Sequence, residues 1–138
     1  MFQGEFFQFA DDTGVHGVAV FTFVVIGTSG FVDVAAWAPA INRLAVWSGE
    51  GFALGEGQIR YPMPTAGLAV YRTPIGWLKA GRRGIVILRR SFASEILGAL
   101  RLLVAEDEQH ARDLRALFSF GSSTVSYTHL TLPTIYSV

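Results

Sequence analysis

Leu68-Ala69-Val70-Tyr71-Arg72-Thr73-Pro74-Ile75-Gly76-Trp77-Leu78-Lys79-Ala80-Gly81, followed after two arginines by Gly84-Ile85-Val86-Ile87-Leu88, is the stretch that decides the fold. Leu68 to Tyr71 is short and apolar, as a strand is. Thr73-Pro74 then opens a helix. The threonine oxygen accepts an N-terminal amide, and proline at the first helical position loses no needed bond. That helix runs to Ala80, and Gly81 stops it. Gly84 to Leu88 reads as a buried strand. The alternation continues with a helix from Ser91 to about Ala99 and a strand from Leu100 to Ala105. Asp107 then caps a last helix reaching about Phe118, with Ala111, Leu114, Leu117 and Phe118 on its apolar stripe. Strands alternating with helices at this spacing predict βαβ units and parallel pairing.

Upstream the rhythm is different. Glu5–Phe9 is a short strand candidate, and Asp11-Asp12-Thr13-Gly14 carries turn chemistry. Val18–Ile26 is apolar at every second position on both faces, the pattern of a central strand. Gly27–Gly30 turns the chain. Phe31–Ala38 forms a third strand, stopped by Pro39, which has no N–H to give. Asn42 sits in the next turn, and Leu44–Trp47 is a fourth strand. Ser48–Gly57 is glycine-rich and reads as a flexible loop or frayed helical turn. Tyr61-Pro62-Met63-Pro64 forces an extended connector. The expectation is an α+β fold: one mixed sheet, with an N-terminal antiparallel meander followed by βαβαβα units.

Composition narrows the function more by exclusion than by signal. The chain has 138 residues, 51% hydrophobic and 16% charged, with no cysteine. That removes disulfide scaffolds, thiol nucleophiles and cysteine-ligated metals together. Gly14–Val32 carries no formal charge, but turn residues break it after Ile26. Its β-branched and aromatic content favours a strand over a membrane helix. No membrane association is expected. The first basic residue is Arg43, so the start lacks the basic segment of an export signal, and a cytoplasmic location is expected. The glycine spacing in 48–57 misses the dinucleotide fingerprint, and neither a P-loop nor a G-x-S-x-G elbow occurs. No cofactor is expected, and oligomeric state is left open.

Charge is segregated. Residues 1–59 hold six acids and one base, 60–103 eight bases and one acid, and 104–124 four acids and two bases. Such blocks mark an anion-binding or nucleic-acid surface, or they face each other across one fold. In open α/β sheets ligands bind beyond the carboxyl ends of parallel strands. Three strand-to-helix junctions fall there: Arg72 with Thr73, then Arg89, Arg90 and Ser91, then Glu106 and Asp107. The first two join arginine and a hydroxyl to a helix start, a natural anion site. Arg82 and Arg83, after the first helix, extend the candidate basic surface. Glu106 and Asp107 are candidates for a metal or for pairing with the arginines. Thr73, Ser91 and Asp107 equally serve as plain helix caps, and the arginines as a solvated rim. Glu106 and His110 share a helix face without a visible third ligand.

Asp33-Val34-Ala35-Ala36-Trp37-Ala38-Pro39, the quoted Thr73–Leu88 region and Glu106-Asp107-Glu108-Gln109-His110-Ala111 together resemble uncharacterised proteins of bacterial prophages and mobile elements, over about residues 31–117. The resemblance implies a DNA-handling context. Val125 to Thr134 resembles the translation of a sequencing adapter, codon for codon, and residues 125–138 are expected to be a non-native tail on a single domain of residues 1–124. The expected function is a non-enzymatic accessory module binding nucleic acid through Arg72, Arg82, Arg83, Arg89 and Arg90. The alternatives are a metal-dependent phosphate-handling enzyme using Glu106 and Asp107, or a module that binds another protein.

Overall fold

The structure, a computed structural model, describes residues 2–8, 19–27, 30–59, 67–97 and 103–118. The expected turn at 11–14, the connector at 61–64, the expected helix end near Ala99 with the strand start at Leu100, and the tail at 125–138 lie outside the described residues. Two short strands, β1 (Phe2–Gln3) and β2 (Phe6–Phe7), form a hairpin. β3 (Phe21–Gly27), β4 (Gly30–Ala38) and β5 (Arg43–Val46) form the expected antiparallel meander. A 3₁₀ turn beginning at Pro39 separates the last two, with Asn42 in the left-handed region at its end. β2 lies parallel to β5, so the order is β1-β2-β5-β4-β3.

A second sheet holds β6 (Ala53–Leu54), β7 (Leu68–Tyr71), β8 (Ile85–Ile87) and β9 (Leu103–Val104), in the order β6-β8-β7-β9. β8, β7 and β9 run parallel, as the alternation of strand and helix requires. The helices are α1 (Pro74–Lys79), α2 (Ala93–Leu97) and α3 (Glu108–Phe118). The Thr73 side chain accepts from the Gly76 amide at 3.3 Å, so the expected cap is in place. The chain travels from β7 to β8 in one direction and from β8 past β7 to β9 in the other. Right-handed crossovers then require connecting helices on opposite faces. Trp77 of α1 packs with Val86, Leu88 and the first sheet, whereas α2 and α3 pack on Leu68, Val70, Ile85 and Leu103.

The class, the meander and the parallel units are as expected, but the strands fill two sheets rather than one. The segment read as a loose glycine-rich loop is the reason. It leaves β5, crosses between layers and supplies β6, which pairs antiparallel with β8, followed by a 3₁₀ turn at Glu56–Ile59. Val25, Ala35 and Val46 of one sheet then pack on Leu54, Val86 and Leu88 of the other. β3 is an edge strand, not a central one. Two successive hairpins place β4 in the middle, and among the described residues only β4 pairs with β3.

The crossing is held by one carboxylate. Asp33, 1% exposed, projects from β4. Its Oδ1 accepts from the amides of Val34 and Ser48 at 2.8 and 2.9 Å, and its Oδ2 from Gly49 and Gly51 at 2.9 and 3.0 Å. Gly51 is obligatory, since a Cβ there would lie 2.9 Å from the Asp33 Cβ. Burial pushes the Asp33 pKa up, but the amides of Ser48, Gly51 and Val34 outweigh it and hold it below the ordinary value. Asp33→Asn sets an amide donor against the amides it faces. It is expected to lower unfolding free energy by about 2–4 kcal/mol, read from the midpoint of urea denaturation at neutral pH.

Candidate functional site

β7 and β9 are neighbours whose following helices leave on opposite faces, so the crevice between their carboxyl ends is a topological switch point. The two junctions there are tied together. The Arg72 guanidinium forms a bidentate pair with Asp107, Nη1 to Oδ2 at 2.6 Å and Nη2 to Oδ1 at 2.7 Å. The Arg72 amide donates to Glu106 Oε1. Asp107 Oδ1 also caps α3 by accepting from the His110 amide at 2.8 Å. The bond from Arg72 and that from the His110 amide drive the Asp107 pKa far below the usual carboxylate range.

At the second junction the anion also comes from the chain itself. Glu5, in the β1–β2 turn, accepts from the Ser91 amide at 2.9 Å, the Ser91 hydroxyl at 2.8 Å and Arg89 Nε at 3.1 Å. Burial raises the Glu5 pKa, and the Ser91 and Arg89 donors more than reverse it. Arg89 Nη1 donates to the Gly49 carbonyl at 2.7 Å. Its guanidinium lies between the rings of Phe6 and Phe92, at 4.8 and 4.6 Å from their centroids. Ser91 is therefore a donor to Glu5 and not a helix cap.

Over this edge runs a cleft of about 670 Å³, lined by Trp37, Asn42, Arg43, Tyr71, Arg72, Thr73, Arg90, His110 and Asp113 among others. Arg43 donates to the Gly4 carbonyl at 2.9 Å. Among the described residues the Arg90 guanidinium makes no hydrogen bond or ion pair. Arg82 and Arg83 are not part of this edge. They precede β8, whereas Arg89 and Arg90 follow it, so the strand separates the two pairs. Arg82 instead lies over the Trp77 ring at 5.9 Å. The structure thus brings Arg72, Thr73, Arg90, Glu106 and Asp107 together, with Arg89 and Ser91 beside them.

As for a metal, no group of three or more potential ligands occurs among the described residues. Three of the four carboxylate oxygens of Glu106 and Asp107 already accept hydrogen bonds. No described helix is long and apolar enough to cross a membrane. The N-terminal half contributes Glu5, Trp37, Asn42 and Arg43 to the site, and nothing in the local sequence of Glu5, Asn42 or Arg43 announces it. No family model, curated protein or solved structure matches the chain.

His110, 5% exposed, has a defined tautomer. Its Nδ1 accepts from the Glu106 amide at 3.1 Å, which places the proton on Nε2. Burial lowers its pKa most and Arg72 lowers it further, against opposing pulls from Glu106, Asp107 and Asp113. A histidine kept neutral in the fold and free to charge when unfolded stabilises the protein fully above the ordinary value of about 6.5. That stability is lost as pH falls from there toward the folded-state pKa. His110→Asn keeps an acceptor near the Nδ1 position but cannot titrate. Urea midpoints measured from neutral pH down to about 5 are expected to drop in the parent and to flatten in the variant.

Proposed function

We propose that the chain is a non-enzymatic binding module for nucleic acid, in the mobile-element setting that its resemblance implies. The contact lies at the carboxyl edge of the parallel strands, around Arg90 and Arg43, and not on all five arginines of the basic block. One observation carries this reading: an aromatic-walled cleft opens at that edge with an unneutralised guanidinium beside it. Arg72 and Arg89 are spent on Asp107 and Glu5, so they shape the edge more than they attract a ligand. The cleft volume suits a single nucleotide, since small-molecule sites span about 300–1,000 Å³. Trp37 and Tyr71 in its lining offer faces on which a base stacks. An unpaired nucleotide fits such a space and a duplex does not, so the module takes single strands or strand ends. Glu106 and Asp107, engaged by Arg72 and by the amide of His110, serve here as positioning groups.

Electrophoretic shifts test the reading. Single-stranded DNA is expected to bind more tightly than duplex. Two phosphate contacts correspond to a loss of roughly sevenfold between about 50 and about 200 mM salt. Arg90→Glu is expected to abolish the shift, and the double variant Arg82→Glu, Arg83→Glu at the far edge to leave it unchanged. Absence of binding at low salt, or dependence on the far pair instead, sinks the proposal.

A further inference from the structure

Among the described residues one side of β3 is unpaired, and that side is suited to receive another strand. Its sequence, Phe21-Thr22-Phe23-Val24-Val25-Ile26-Gly27, contains no charge and no proline. Sheet edges in soluble proteins are ordinarily guarded by charged residues, proline, bulges or a covering element. Here the extra residue of the one register shift, Val32, belongs to β4, so β3 itself runs regular along the side that no described residue pairs with. The outer face beside that edge is apolar as well. Val24 and Ile26 are each 57% exposed, Phe31 63% and Trp47 54%. They are contiguous, because Ile26 pairs with Phe31, Val24 pairs with Val34, and the Trp47 amide donates to the Val34 carbonyl. Large side chains this exposed present together an apolar area on the order of several hundred Å², the range that marks an interaction site.

We propose that β3 pairs antiparallel with β3 of a second copy, joining two five-stranded sheets across a two-fold axis. The strand's own order argues for this occupant. An axis through Val24, its middle residue, sets Phe21 opposite Gly27 of the other copy, Thr22 opposite Ile26, and Phe23 opposite Val25. The Phe21 ring of each strand thus meets the position without a side chain. The exposed Val24 and Ile26 remain on one face of the joined sheet, where they extend a single apolar surface. With no charge on the strand, nothing repels its twin, and an isologous contact of this kind closes at two copies. β3 adjoins the cleft only at its Phe21 end, which pairs with Trp37, and the pairing is read without nucleic acid, so it stands or fails independently of the nucleic-acid reading.

Sedimentation and cysteine cross-linking test it, and the chain has no native cysteine to interfere. The parent is expected to sediment as a dimer. Val24→Lys, which brings two ammonium groups together on the axis, is expected to sediment as a monomer with an unchanged circular dichroism spectrum. Directly opposed residues of an antiparallel pair lie about 4.5–5.5 Å apart at Cα, within disulfide reach. Val24→Cys is therefore expected to cross-link to its twin under a mild oxidant. Thr22→Cys, displaced from its twin by four residues or about 13 Å, is expected not to. A parent that stays monomeric at every concentration overturns the proposal, as does cross-linking at position 24 no faster than at position 22. Should Val24→Lys fail to fold, the cysteine pair decides.

Discussion

A carboxylate sealed from water at the junction of two sheets is the constraint on which the rest of this structure rests. Asp33 would be costly where it sits without partners, because a buried charge must be compensated. Four backbone amides supply that compensation, and three of them belong to the segment leaving β5. The requirement works in both directions. The amides of Ser48, Gly49 and Gly51 can turn inward only because an acceptor waits for them. The chain so bent delivers Phe52, Ala53 and Leu54 to the second sheet, where the Phe52 carbonyl accepts from the amides of Leu88 and Arg89. The same bend points the Gly49 carbonyl at Arg89. One buried acid in the meander thereby fixes the geometry of the distant carboxyl edge.

Electrostatic self-satisfaction is the second theme. The acidic first block, the basic middle and the acidic last block meet inside one fold. Glu5 reaches Arg89 and Ser91, and Asp107 reaches Arg72. Both clasps are partly solvated, so each contributes little as an isolated ion pair. Their value is positional, because they join segments far apart in sequence at the edge where parallel strands end. They also change what the basic block offers a ligand. An arginine with two carboxylate oxygens already in its fork attracts a phosphate less than one without. Arg90, the neighbour left unmatched, becomes the electrostatic feature of the cleft.

Much of this was legible because it is local. Thr73 before Pro74 and Gly81 after Lys79 bracket α1, and Asp107 caps α3, since capping depends on groups within three or four residues. Parallel pairing of β7, β8 and β9 follows from the lengths of the connections between them. The clustering of Arg72 with Asp107 follows in turn from that pairing, although their mutual neutralisation does not. Other features left no local trace. Glu5 looked like one polar residue in a short strand, yet it binds groups 84 and 86 positions away. Asp33 inside an apolar strand, followed by Ser48-Gly49-Glu50-Gly51, was the available hint of a buried acid with amide partners. Val18–Ile26 has apolar residues on both faces, a pattern that predicts burial on both sides, yet Val24 and Ile26 face outward because the strand lies at an edge.

Taken alone, the amino-acid order determined the class of the fold, the bounds of α1 and α3, and the parallel sense of the later strands. These rest on dihedral preferences and on side-chain periodicity, which act over a few residues. The tertiary structure decided that there are two sheets, that β3 lies at an edge, and that Arg72 and Arg89 are answered from within while Arg90 is not. Those outcomes depend on which distant groups come within about 3 Å of one another, a matter settled by the packing of whole layers.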